Sequence, residues 1–356
     1  MAVQLISAAQ ALQNLDNFSV VIDARSEDEH ALDCLPHAIN WPTLNNQERI
    51  LVGTLYKQQG AFEAKKIGAG LAAGNISRHI QNHVLQLPIT WKPLLYCWRG
   101  GKRSGSLALI LDQIGFKVNL IEGGYKAFRA ELVKNIAELA LKIEFKVVCG
   151  LTGSGKTRLL HELARQGHQV LDLEALANHR SSVLGLMPGD HQPSQKAFDT
   201  AIWNVLRHLD LSRPVFVESE SKKVGNVAIP EALMEAIRQS PCVILELGLE
   251  HRIELLMQDY AHFSQDSNSF IKRLNTLTQS LGKKQIESWI ELVQQAQTPQ
   301  VVKELLQLHY DPIYVSSSQR NFLQYKNAST YRLGGLEAAE LERVAGEMGK
   351  RKIEKS

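Results

Sequence analysis

Phe145-Lys146-Val147-Val148-Cys149-Gly150-Leu151-Thr152-Gly153-Ser154-Gly155-Lys156-Thr157 runs from a short apolar segment straight into the pattern G-x-x-x-x-G-K-[ST]. A phosphate loop needs this context, a β-run before it and a helix opening after it. The amides of Gly150, Leu151, Thr152, Gly153, Ser154 and Gly155 are expected to wrap phosphate oxygens. Lys156 reaches the outer phosphate, and the Thr157 hydroxyl is placed to hold Mg²⁺. No N-K-x-D guanine-reading motif occurs, which argues against a GTPase.

Downstream, residues 156–166 read as a helix, and Gln169–Leu171 reads as a strand ending at Asp172. Apolar runs at 214–217 and Cys242–Leu247 read as further central strands. Asp172 and Glu218 each follow a strand, and Glu220 belongs to the polar cluster Glu218-Ser219-Glu220-Ser221-Lys222-Lys223. Sites in open α/β sheets gather at such strand ends, so these three acids are candidates for a magnesium or polar site, with solvated carboxylates as the alternative. From residue 251 onward the chain is polar and mostly helical in pattern, with glutamine-rich text at 294–300.

Upstream lies a second loop, Leu95-Tyr96-Cys97-Trp98-Arg99-Gly100-Gly101-Lys102-Arg103-Ser104. Pro93–Tyr96 reads as a strand, and residues 104–114 carry helical spacing up to Gly115. A cysteine between a strand end and a helix start sits where amides converge, and Arg99, Lys102 and Arg103 add positive charge. Cys97 is therefore a candidate nucleophile beside an anion loop made of Trp98, Arg99, Gly100, Gly101, Lys102, Arg103 and Ser104. A cysteine that merely fills space is the competing reading.

The first part alternates strands and helices, with runs at 18–22, Pro93–Tyr96 and 117–121, the turn Glu122-Gly123-Gly124, and a long helix over 125–141. The fold class is α/β, with a parallel-sheet domain over 1–137 and a phosphate-loop α/β domain with a helical C-terminal part over 138–356. Segment 43–83 is longer than a simple crossover needs, so extra helices or a mobile cover are both open.

The chain has 356 residues, 44% of them apolar and 22% charged, which fits a globular protein of two domains rather than a disordered one. The four cysteines show no C-x-x-C or Cys/His ligand spacing, so neither a disulfide framework nor a structural metal is expected. No signal peptide and no long apolar span is read, which points to the cytoplasm and away from membranes. A net charge of +3 permits nucleic-acid binding only if charge is clustered, as at Lys222-Lys223, Lys272-Arg273, Lys283-Lys284 and Lys350-Arg351-Lys352.

The cysteine loop resembles that of rhodanese domains, with Asp23-Ala24-Arg25, Pro36-His37-Ala38-Ile39-Asn40 and Glu122-Gly123-Gly124 in the matching order. Cys34 and His37 depart from the family, which usually has His and Gly there. The spacing from Cys97 to Arg103 is one residue longer than usual and matches the C-x-x-x-x-x-R of cysteine phosphatases, but Tyr96 replaces their preceding histidine. A longer loop suits a larger tetrahedral oxyanion.

A rhodanese domain followed by a phosphate-loop domain, with Glu122-Gly123-Gly124-Tyr125-Lys126-Ala127-Phe128-Arg129 and Val217-Glu218-Ser219-Glu220-Ser221, closely resembles the bacterial tRNA 2-selenouridine synthases. The resemblance implies conversion of wobble 2-thiouridine to 2-selenouridine in the tRNAs for Lys, Glu and Gln. It implies S-geranylation from geranyl diphosphate followed by replacement with selenium from selenophosphate, with Cys97 as the selenium-carrying residue. The phosphate loop is then expected to grip geranyl diphosphate rather than ATP, with Mg²⁺ as a further cofactor. tRNA is the expected partner, with Trp98 and Trp41 as candidates to stack on its bases, and the chain is expected to act as a monomer. Rival readings are a P-loop kinase or ATPase with a rhodanese-like partner-binding module, a sulfur or selenium carrier, and a dual-domain phosphatase.

Overall fold

The computed structural model describes residues 3–179, 191–260 and 267–350, and the chain divides into two compact units. The first comprises 1–137 together with 193–204, and the second comprises 138–192 and 205–356. No described helix is long and apolar enough to cross a membrane.

The first unit holds strands β1 (Gln4–Ile6), β2 (Val20–Asp23), β3 (Ala38–Asn40), β4 (Pro93–Tyr96) and β5 (Asn119–Ile121). They form one sheet in the order β1-β5-β4-β2-β3, with every pairing parallel. All four residues of β4 are buried, as expected of a strand covered on both faces. The register sets Asp23 opposite Tyr96, so the carboxyl ends of β2 and β4 coincide and Cys97 emerges between their neighbours.

Segment 43–83 forms two helices, Asn46–Gln58 and Ala61–His83, packed on one another. This decides between the two readings of that stretch. Asn75 donates to the Thr43 carbonyl at 3.2 Å and to Glu48 at 2.6 Å, and the His79 ring nitrogen contacts the Pro42 carbonyl at 3.0 Å. Trp41 is stacked between these elements, 5.6 Å from His79 and 5.2 Å from His83, and 6% exposed. It is a core residue and offers no face to an RNA base, which corrects the expectation of stacking there.

Helix Gln195–Leu206 accounts for the return of 193–204 to the first unit. Phe198, Ile202 and Trp203 are buried, and Trp203 sets its edge against Phe128 at 5.9 Å and donates to Asn135 at 2.9 Å. Arg129 closes the contact through an ion pair with Asp199 at 2.6 Å. A single cut after residue 137 leaves this helix on the far side, because its apolar stripe does not announce which core it joins.

The second unit is built on β6 (Phe145–Cys149), β7 (Gln169–Leu171), β8 (Val215–Glu218), β11 (Cys242–Leu247) and β12 (Ser329–Leu333), ordered β12-β11-β6-β8-β7 and all parallel. Two short strands, β9 (Lys223–Val224) and β10 (Val227–Ala228), make a separate antiparallel hairpin after the acidic cluster. The helical C-terminal part is real but interrupted: β12 returns to the sheet, and helix Ala338–Lys350 packs against helix Lys156–Arg165. The alternation of exposed Thr330 and Arg332 with more buried Tyr331 and Leu333 is that of an edge strand, and Arg332 pairs with Glu246 across it at 2.8 Å.

Beneath the cysteine loop lies a buried ion pair. Arg25, 1% exposed, meets fully buried Asp23 through two nitrogens at 2.9 and 2.6 Å, donates to the Asp33 carbonyl at 2.6 Å, and lies 4.0 Å from the Tyr125 ring centre. Burial raises the Asp23 pKa, but hydrogen bonds from His30 and Arg25, with the Arg25 charge, leave it lowered. A depressed carboxyl stabilises above its unfolded pKa and loses that contribution as pH falls through the folded value. Asp23→Ala strands the guanidinium without a counter-charge and is expected to cost about 3–5 kcal/mol, read by urea unfolding with Trp98 or Trp91 fluorescence.

Candidate functional site

The first site is made by closing a loop on glycines. After β4 the chain turns through Cys97 to Gly101, which caps helix Lys102–Ile114 without a side-chain acceptor. Gly100 has φ +64°, and a Cβ there would stand 2.7 Å from the Ile121 carbonyl. Gly124 has φ +58°, and a Cβ would collide with the Cys97 carbonyl and the Gly100 amide. That close approach lets Tyr125 N–H donate to the Cys97 carbonyl at 2.8 Å and Lys126 N–H to the Trp98 carbonyl at 3.1 Å. The Glu122-Gly123-Gly124 turn thus clamps the loop from outside.

Among the described residues, no amide from Trp98 to Ser104 finds a backbone acceptor. Ser104 Oγ is fully buried and also without a partner. Such a run of donors at a helix start is an anion nest. Cys97 sits at its base, 3% exposed. The basic residues divide. Arg99 and Lys102 are exposed, whereas Arg103 is engaged by Glu29 at 2.6 Å, and the Glu29 pKa, raised by burial, ends lowered by the Arg103 contact. Arg103 therefore braces the loop rather than lining it. Trp98 lies over Tyr125 at 5.4 Å, with the Lys196 ammonium 5.6 Å from its ring.

The departures noted in the sequence acquire physical content. His37 adopts φ +58°, the left-handed region that glycine enters without the steric cost a side chain incurs. Burial, with the charges of Asp33 and Asp23, pushes the Cys34 thiol up to about 11, so it stays protonated and is no second nucleophile at neutral pH. Tyr96, in the place of a phosphatase histidine, is fully buried and donates no proton to the loop; its hydroxyl accepts from Leu35 N–H at 3.2 Å.

The second site opens at the end of central strand β6. Gly153 and Gly155 take φ +77° and +86°, and Gly155 caps helix Lys156–Arg165. Lys156 Nζ donates to the Gly150 carbonyl at 2.8 Å and stands 5.5 Å from the Tyr314 ring. The Tyr314 hydroxyl accepts from Gly150 N–H at 2.7 Å and bonds Ser219 Oγ at 2.7 Å. Arg252 holds the loop from below, donating to the Thr152 carbonyl at 2.9 Å while paired with Asp311 at 2.6 Å.

The carboxylates do not gather quite as expected. Glu218 and Glu220 lie with Glu174, one oxygen from each within 4.8 Å of the others, and Thr157 Oγ1 is 3.4 Å from Glu174. Asp172 instead caps helix Leu173–Ala177, accepting from Ala175 N–H at 2.8 Å, and pairs with His161 at 3.0 Å. All four acids line one cavity of about 810 Å³ with Lys156 and Thr157. Glu218 is 3% exposed, its Oε1 has no hydrogen-bond partner, and burial, then the Glu174 charge, push its pKa well up. An orphaned buried carboxylate oxygen between two other acids and a hydroxyl fits a divalent cation.

Sequence reasoning missed Glu174, Tyr314 and Arg252. Glu174 lies two residues beyond Asp172 and joins Glu218 and Glu220, while Asp172 lines the same cavity from outside that group. Tyr314 is 164 residues from Gly150 and carried no local signal.

The tRNA 2-selenouridine synthase AAA domain model matches residues 143–330, and the rhodanese-like domain model matches 7–131. A tRNA 2-selenouridine synthase of Nitrosomonas europaea is 39% identical over 67% of this chain and 63% of its own length, just under two thirds. That of Sulfurovum sp. is 32% identical over 86% of this chain and 90% of its own. That of Shewanella piezotolerans is 35% identical over 77% and 74%.

Two measurements test the geometry. Gly124→Ala is expected to unseat the Cys97 loop, raising the alkylation rate of Cys97 by iodoacetamide several-fold without global unfolding. For Glu218, a folded pKa above the unfolded one means stability falls as pH rises and the buried carboxyl must ionise. In EDTA, Glu218→Gln should then exceed the wild type by about 1 kcal/mol at pH 8 and match it near pH 4, followed by thermal unfolding.

Proposed function

The chain belongs to the tRNA 2-selenouridine synthase family, and on that basis we propose that it converts the wobble 2-thiouridine of tRNA(Lys), tRNA(Glu) and tRNA(Gln) to 2-selenouridine. The supporting observation is the presence, on one chain, of an amide-lined cysteine loop and a phosphate loop facing three acids. One suits a selenium nucleophile with its oxyanion, and the other suits a diphosphate.

Two chemical steps follow. A C2 thione is a poor leaving group, since its sulfur would depart as sulfide. In the first step that sulfur attacks C1 of geranyl diphosphate, the C1–O bond breaks, and diphosphate leaves as the base loses its N3 proton. Negative charge then grows on the departing oxygens, where the loop amides and Lys156 stabilise it. Glu174, Glu218, Glu220 and Thr157 would hold Mg²⁺, which, when bound, neutralises part of that charge. In the second step the selenium of selenophosphate adds at C2 and geranylthiolate departs; water then attacks phosphorus, the Se–P bond breaks, and phosphate leaves as the base keeps selenium. Cys97 handles the selenium, with the amides from Trp98 to Ser104 gripping the phosphate oxygens.

A kinase or ATPase reading would place ATP on Gly150–Thr157 and leave Cys97 dispensable. The half-reactions separate these possibilities. Lys156→Ala should slow S-geranylation by roughly 100-fold yet still selenate tRNA that is already geranylated. Cys97→Ser should show the reverse, by nucleoside mass spectrometry after each co-substrate is added alone. Normal geranylation by Lys156→Ala would remove the diphosphate from this loop.

A further inference from the structure

We propose that the apolar side of the phosphate-loop cavity, formed by Leu255, Leu256, Tyr260, Ile313, Tyr314 and Phe322, is the seat of the prenyl chain, with Ile313 contacting its far end. The inference rests on the reading of Gly150–Thr157 as a diphosphate seat and adds where the rest of that substrate lies.

The cavity has two unlike walls. One carries Thr157, His161, Asp172, Glu174, Glu218 and Glu220; the other is drawn from helices Leu249–Asp259 and Asp311–Asn321 and sets Leu255, Leu256, Ile313 and Tyr314 among Asp259, Ser317, Ser318 and Asn321. The apolar wall begins at the phosphate loop itself. Leu255 Cδ2 lies 3.8 Å from where a Gly155 Cβ would stand, and the Leu256 side chain lies 3.0 Å from that of Gly153. Any group attached to the inner end of a bound diphosphate therefore meets leucine methyls first. Tyr314 stands at the junction, its hydroxyl pinned by Gly150 N–H and Ser219, so its ring cannot swing away.

Ile313 points to an apolar occupant. It lines the cavity yet is 55% exposed, a large aliphatic side chain left in water beside a set of buried apolar ones. Covering it with hydrocarbon is favourable by the area removed from water, and a flexible isoprenoid can follow such a wall from the loop to the rim. The volume of about 810 Å³ leaves room for a uracil base to approach the same carbon.

The test uses the full chain and thiolated tRNA, with Ile313→Asn and Ile313→Leu; exposure at this position keeps the fold out of question. The KM for geranyl diphosphate, and the inhibition constants of inorganic diphosphate, dimethylallyl diphosphate and ATP, are measured against geranylation. Ile313→Asn should raise the geranyl diphosphate KM about tenfold, leave inorganic diphosphate and the shorter dimethylallyl diphosphate within about twofold, and be rescued by Ile313→Leu. Equal KM values in wild type and Ile313→Asn, or equal weakening of all three diphosphates, would overturn the assignment of the wall. Failure of inorganic diphosphate to compete in the wild type, with ATP competing instead, would overturn the diphosphate reading and this inference with it.

Discussion

Backbone amides turned away from backbone acceptors in the loops after two central parallel strands, all those from Trp98 to Ser104 and those of Leu151 to Gly153 and Gly155, are the constraint on which this molecule is organised. Gly150 N–H is met by the Tyr314 hydroxyl and Ser154 N–H by the Leu151 carbonyl. A buried N–H with no partner is costly, so a chain tolerates a row of them only where a ligand or water supplies the acceptors. β4 leads into one such row at Cys97, and β6 leads into the phosphate loop. Each loop keeps its shape through glycines that side chains could not replace: Gly124 against the Cys97 carbonyl, and Gly153 and Gly155 in left-handed conformations beside Leu256 and Leu255. The sheets are parallel because that arrangement brings strand ends and helix starts together on one edge.

Charge is held in place around each loop by ion pairs bonded to its frame. Asp23 and Arg25 are buried and joined to Tyr125 and Asp33, and Tyr125 in turn supplies the amide that fixes the Cys97 carbonyl. Arg103 is spent on Glu29. In the second unit Arg252 and Asp311 do the equivalent task, linking the Thr152 carbonyl to the helix that carries Tyr314. Arg103, which looks in the sequence like a ligand contact, thus turns out to hold the frame.

Local chemistry was legible in the sequence wherever it depended on neighbours along the chain. The phosphate loop, the cysteine loop, their strands and the following helices all lie where periodicity and glycine placement put them. What depended on contacts between distant residues was not legible. Trp41 reads as a possible base-stacking residue and is a core residue, because His79 and His83 on a helix some forty positions later stack against it. Asp172 reads as a metal-site acid and is a helix cap, while Glu174 takes its place among the acids because the short helix begins between them. The polar stretch beyond residue 251 hides β12, whose alternation covers only Ser329–Leu333.

The buried acids explain why the phosphate loop needs its whole cavity and not the glycine motif alone. Glu218 has an oxygen that nothing in the protein satisfies, next to Glu174 and Glu220, so the unliganded site carries an electrostatic cost. On the proposed reading that cost would fall with a cation bridging the acids, and a diphosphate opposite Lys156 would balance the cation in turn. The affinity of each charged group then depends on the others being present, which favours binding the cation and the diphosphate together. The leucines beside Gly153 and Gly155 keep water from one flank of that assembly and strengthen every charge interaction within it.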